Sequence, residues 1–497
     1  MALEAFDALR NPAVATHAPL RRVLGLWSVV AFGVTNEIAA GLFFVSTQVQ
    51  ATAPGAGNFV PWLMLAGGAL TGLTVIAYRY FFAAGLIGAG GEYVIVHGAL
   101  GRQSAFLGTL LAWFGMTGAL GTLAYVAPKF LANACDSLGF AHASQMLASV
   151  PGTLVCGLVL LWGVWLVHVR GVRLAASLAV AAMIFVLVVA AIVIGYGFAT
   201  APARFEAAMT AHLHLVAQHV RAAAPVHDER LGTALWSALP LIFFGYLGLS
   251  TATQTGSEAV DPRRSLSQGV LVAVCIVTCV YTLFTMAIYH AVPWQDIAGL
   301  AALKYTTYTT SVGLLGLVMP AWLSSLMNVF VAIVVVKTFL PLFLAQSRWI
   351  YAWARDGVLP GFLARTHARF QTPVIALTVS ALLGSLALLE SIWTGYVFGV
   401  SLRVLSVMVV FFLIGLALMR FERPTPPWRM LLGIAIMTFS VWFSASLVVT
   451  SAHQAPWLQP AVQAAIVAIV GSILYRCVSS QASQAPVSSR ASEARKR

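Results

Sequence analysis

Apolar runs of about twenty residues recur from one end of this 497-residue chain to the other, and a run of that length crosses a ~30 Å hydrocarbon core as a helix. Lipid offers the backbone no hydrogen bonds, so a spanning chain must be helical or close into a barrel. The alternating ten-residue segments of a barrel are absent. Twelve helical spans are predicted, near 24–48, 60–82, 104–131, 150–168, 173–198, 232–256, 267–290, 312–346, 373–391, 395–419, 429–450 and 458–477. With 60% hydrophobic and 9% charged residues, the chain reads as an all-α membrane protein.

The net charge of +13 follows the membrane, not a nucleic acid. Most of the 28 Lys and Arg fall in the end stretches and the alternate loops that share one side. By the positive-inside rule both termini are then cytoplasmic, in a multi-pass protein of the cytoplasmic membrane. Four histidines, His212, His214, His219 and His227, lie in the long external segment after span five, where a solvated surface helix explains them better than a metal site. Cys275 and Cys279, one turn apart on an apolar span, read as packing residues. No cofactor is expected.

Span one is not a plain lipid-facing helix. Thr35, Asn36 and Glu37 sit at its middle, and a carboxylate at mid-depth costs about 2.5–3.5 kcal/mol even on the lenient insertion scale. Such a residue faces a bundle interior or a wet cavity and is a candidate for function. Span six is interrupted as well, by Pro240, Gly245 and Gly248, and turns small and polar from Ser250 to Thr255. Span eight carries Lys337, about 16 Å along the helix from Arg348 and therefore near the midplane. Span ten carries Arg403, for which a pair with Glu390 at the outer interface is the expectation. The interrupted spans stand five apart, the pattern left by two inverted repeats of five helices whose breaks meet at a midplane site.

Several stretches resemble the amino acid–polyamine–organocation superfamily of transporters. Gly90-Gly91-Glu92-Tyr93 with Gly101 resembles its Gly-Gly-x-Tyr stretch after span two. Phe244-Gly245-Tyr246-Leu247-Gly248 resembles its span-six break. Glu258-Ala259-Val260-Asp261-Pro262-Arg263-Arg264 and the run from Ser347 to Gly357, with Leu359-Pro360 and Thr372-Pro373, resemble its cytoplasmic loops. While the sequence itself reads as a short cytoplasmic lead (1–23) and a Ser/Ala/Arg-rich, disordered cytoplasmic tail (479–497), the resemblance implies a ten-helix inverted-repeat core (24–420, repeats about 24–198 and 232–420) and two additional helices (421–478). It also implies secondary transport of small organic solutes.

The departure lies in span one. The family places a glycine-serine pair and further glycines there, whose free amides hold a substrate carboxylate; here the matching positions are Thr35, Asn36, Glu37, Ile38, Ala39, Ala40 and Gly41. Glu37 would repel a carboxylate unless protonated or paired. It is a candidate proton carrier, a ligand for a cationic group, or a structural partner of Lys337 or Arg403. Lys337 is a candidate for the place of a coupling ion. The expected substrate site comprises Thr35, Asn36, Glu37, Ala39, Ala40 and Gly41 of span one with Phe243, Phe244, Gly245, Tyr246, Gly248 and Ser250 of span six.

The expectation is a permease moving a small amino acid or related amine by alternating access, proton-coupled or exchanging against a counter-substrate. A transporter-like sensor and a carrier of polyamines or inorganic cations that uses Glu37 as ligand are the alternatives. A channel would show a continuous polar stripe, and no enzyme motif is present. The oligomeric state is open.

Overall fold

A computed structural model describes residues 19–39, 41–225, 231–305, 308, 310–394, 400–422 and 424–484. Among them there are helices and turns but no strand, and one isolated bridge joins Leu24 to Ala259. Eleven helices among the described residues are long and apolar enough to cross a membrane. The exception is the region of span six, where a 14-residue helix is followed by irregular backbone.

Span one consists of α1 (Leu26–Glu37) and α2 (Gly41–Thr52). Span two is α3 (Val60–Ala83), followed by the short α4 (Glu92–Leu100). Spans three to five are α5 (Arg102–Ser137), α6 (Val150–Val169) and α7 (Val172–Ala199). Span six is α8 (Leu231–Phe244) with the single turn α9 (Ser250–Thr253), and span seven is α10 (Pro262–Ala291). Span eight is α11 (Ala321–Lys337) running through Thr338 into α12 (Phe339–Arg355). Spans nine to twelve are α13 (Val374–Thr394), α14 (Val400–Arg420), α15 (Pro427–Ser451) and α16 (Pro460–Gln484).

Packing divides these helices into two groups. α10 lies against α1, α3 and α7, while α5 lies against α11, α13 and α14. Small residues allow the close approaches, as expected where lipid supplies no hydrophobic drive between helices. The segment after span five forms two short helices, Pro202–Leu213 and Ala217–Ala223, strapped to the helix Trp294–Ala302. Arg221 is the strap: its guanidinium donates to both oxygens of the buried Asp296 at 2.7 and 2.9 Å and also pairs with Glu206. His227 lies outside the described residues. Cys275 and Cys279 are exposed, which corrects their reading as packing residues: α10 turns its other faces to α1 and α3.

Candidate functional site: the crossing of two broken spans

The local sequence explains the first break. Thr35 turns its hydroxyl back to the Ala31 carbonyl at 2.5 Å, a competition with the helical ladder that bends helices. Ile38 then leaves helical geometry at φ −75°, ψ 75°, and the helix restarts at Gly41. Ending a helix in mid-membrane leaves orphan carbonyls. Lys337 supplies their partner. Its ammonium donates to the Thr35 carbonyl and, at 2.5 Å, to the Ile38 carbonyl. A cation at a helix C-terminus also opposes the negative end of the helix dipole.

Span six crosses at the same level. Asn36 donates its side-chain amide to the Gly248 carbonyl at 3.0 Å, and the Thr251 hydroxyl reaches the Phe32 carbonyl at 3.1 Å. Tyr281 of α10 ties both breaks together, its hydroxyl lying 2.6 Å from the Glu37 carbonyl and 3.2 Å from that of Gly245. Only glycine fits at 248, because a Cβ there would stand 2.6 Å from the Glu37 amide nitrogen and 2.7 Å from its Cγ.

Glu37 is 3% exposed, and neither carboxylate oxygen has a hydrogen-bond partner of good geometry. The Leu249 amide lies close enough to act on it electrostatically. No ion pair joins Glu37 to Lys337 or Arg403 among the described residues. Arg403 does not pair with Glu390 either, against the sequence expectation. Its guanidinium donates to the Leu247 carbonyl at 3.3 Å and lies in the field of Glu92, while Glu390 is held by Thr394 at the far end of α13. The reason is helical phase: Arg403 is buried, its backbone packed against Gly115 of α5 and its side chain turned to span six.

The remaining expected residues divide between the crossing and ordinary packing. Gly41 and Gly245 line a small crevice with Leu42, Val45, Met64, Ile242, Tyr281 and Thr285. Tyr246 is fully buried, donates to the Met64 carbonyl at 2.7 Å and meets Tyr281 edge-on. Phe243 instead packs among Phe411, Phe439 and Phe443, and Phe244 and Ala39 are half-buried. Ser250 is buried beside the crossing, its carbonyl taken by the Thr253 hydroxyl. Ala40 lies outside the described residues.

Polar layers that sequence reasoning did not assemble close the site on both sides. On the face bearing the N-terminal residues, Arg348 grips Glu258 through two bonds of 2.7 and 3.0 Å, both side chains being 1% exposed. The Glu258 carbonyl receives the Val23 and Leu24 amides. Nearby, the buried Glu92 accepts from Gln254 at 2.5 Å and from Tyr78 at 3.2 Å. Gly91, at φ +45°, lets the chain pass against Thr253. At the loop, Asp356 accepts from Tyr93 (2.6 Å) and pairs with His97 (3.0 Å). Burial alone would push the Asp356 carboxyl up, but these two partners bring it below the ordinary range. On the opposite face Gln50 bonds the Gly57 carbonyl and Tyr289, and Tyr289 bonds the Ser46 carbonyl. Glu92 with Gln254 was legible only as two polar residues in glycine-rich surroundings.

Known proteins share this architecture's sequence. The amino acid permease family profile matches residues 24–475. An uncharacterized transporter of Mycobacterium tuberculosis is 28% identical over 382 residues, 74% of each chain. The branched-chain amino acid permease of Lactococcus lactis is 25% identical over 369 residues, 70% of this chain and 71% of that one. The methylthioribose transporter of Bacillus subtilis is 23% identical over 368 residues, 71% and 72% of the two chains. The chain therefore belongs to the amino acid permease family, within the amino acid–polyamine–organocation superfamily, and is a multi-pass membrane transporter, not an enzyme.

Proposed function

We propose that the chain is a secondary transporter of the cytoplasmic membrane, with both termini cytoplasmic, moving a small amino acid or related amine by alternating access. The observation that carries the reading is the crossing of two broken helices around Glu37, closed by separate polar layers on either face. A carrier needs a site that two gates seal in turn. Arg348–Glu258 and Gln254–Glu92 suit one gate; Gln50–Tyr289 suits the other.

A ten-span inverted repeat fits the packing. When each span is replaced by the one five places away, the contact of spans one and seven becomes that of six and two, which is also made. In the same way three with nine becomes eight with four, three with ten becomes eight with five, and seven with five becomes two with ten, all of them observed contacts. Spans eleven and twelve then flank a core of two five-helix units.

Coupling to protons or exchange is the reading that fits the charges. Lys337 occupies the carbonyls at the end of α1 as a bound cation would, and loss of its proton would release them. A ligand drives a conformational change only through different affinity for the two states, and a bond made across spans one and eight can differ between them. The named substrates of the relatives include both an amino acid and a non-amino-acid, so the substrate class follows from this chain's own site. Saturable, gradient-driven uptake of labelled amino acids or amines by proteoliposomes tests the reading. Binding without flux would favour a sensor, and non-saturating flux a channel.

A further inference from the structure

We propose that Glu37 is a shared site for a proton and for the ammonium group of a small aliphatic amine without a carboxylate, so that the two are exchanged across the membrane. The inference rests on the reading that the two breaks form the substrate site, and it narrows that reading to one substrate class and one mode of coupling.

Backbone amides at the break are the natural holders of a carboxylate, and here three of those in span one are already bonded within the chain. Ile38 donates to the Val34 carbonyl, Ala39 to that of Glu37, and Leu42 to that of Ala39. The carbonyls that would greet a cation are used as well, since Lys337 holds those of Thr35 and Ile38. What remains at the crossing is the Glu37 carboxyl, buried and without a bonded partner. Arg403 is not its complement. That guanidinium donates to the Leu247 carbonyl and lies in the field of Glu92.

Beyond the neutral Leu249 amide, the groups that face Glu37 leave its charge unmatched. From span six comes Tyr246 and from span seven Tyr281, both phenols engaged with carbonyl oxygens. The titratable group of span eight, Lys337, points its ammonium at the backbone of α1. A buried charge persists only with a partner, and an ammonium is the partner this carboxyl lacks. The adjoining crevice has aliphatic walls from Leu42, Val45, Met64 and Ile242, and Tyr281, whose hydroxyl bonds the Glu37 carbonyl, belongs to its lining; it is closed here, without room for a water molecule, and must open to admit the rest of such a molecule.

One carboxyl cannot hold both cations. Binding of R–NH3+ to the protonated acid gives a carboxylate–ammonium pair and sends the acid's proton to solvent. The reverse step releases the amine when a proton returns. If the carrier reorients only with one or the other bound, amine moving one way moves a proton the other way.

The test is calorimetric binding to the purified full chain in two buffers of different ionisation heat. The probes are isobutylamine, valine and isovalerate, and the variants are Glu37→Gln and Val45→Trp. Isobutylamine should bind with release of a proton, and Glu37→Gln should lose that release and weaken binding about tenfold or more. Val45→Trp, which keeps the crevice from opening, should block binding. Valine binding without proton release, lost in Val45→Trp but unchanged in Glu37→Gln, would overturn the amine assignment while keeping the site. Isobutylamine binding indifferent to both substitutions would overturn the site itself.

Discussion

Lys337→Met is the most informative single perturbation of the scaffold. Methionine keeps the length of the stem and removes the ammonium that bonds the Thr35 and Ile38 carbonyls. Hydrogen bonds to charged groups contribute about 1.5–3 kcal/mol each, so two set an upper bound of about 3–6 kcal/mol. Hydrogen bonds measured within membranes average about 0.6 kcal/mol, which puts the lower bound near 1 kcal/mol. Removing the lysine also relieves the cost of burying its charge, so the net loss should fall toward the lower half of that range. Thermal unfolding in detergent, followed by intrinsic fluorescence, should show the variant melting several degrees below the parent. Lys337→Arg, which keeps the charge but not the compact head, should fall between them. A Lys337→Met variant that melts at or above the parent would refute the claim that this lysine holds the end of α1.

Three other outcomes follow from the packing. Gly248→Ala places a methyl 2.6 Å from the Glu37 amide, so the two breaks must part by about 1 Å; stability should drop by about 1–3 kcal/mol and uptake should vanish. Gly72→Ala, where nothing lies within 4 Å, should change neither in the same uptake and melting assays. Arg348→Met should cost about 3–5 kcal/mol by stranding the buried Glu258, and adding Glu258→Leu should restore most of it in a melting comparison. Asp356 is held below the ordinary carboxylate range when folded, so its contribution is full above about pH 3.9 and fades as pH falls through the folded value. Asp356→Asn should therefore flatten the acid limb of a melting-temperature profile and lower the neutral plateau.

Much of this architecture was legible in the sequence because lipid leaves few choices. Apolar length placed the spans, and Thr35 to Glu37 and Gly245 to Gly248 marked the breaks, since polar and glycine residues there have no lipid-facing use. Side-chain partners were less legible, because they depend on helix rotation. Lys337 was readable as a midplane cation, but its bonding to carbonyls instead of a carboxylate depends on which face α11 turns to α1. The same holds for Phe243, whose ring turns toward α14 and α15, and for Arg403, whose guanidinium reaches the Leu247 carbonyl instead of Glu390. In the segment after span five the histidines drew the eye, while the structural work falls to Arg221 and Asp296, 75 positions apart.

Uptake into proteoliposomes tests the central claim most directly. Labelled amino acids and amines would be offered to the parent and to Glu37→Gln, with and without a proton gradient. The account predicts saturable uptake that responds to the gradient in the parent, and loss of that response in Glu37→Gln. Parent-like, gradient-driven uptake by Glu37→Gln would contradict it, leaving Glu37 a scaffold residue and placing the transport site elsewhere.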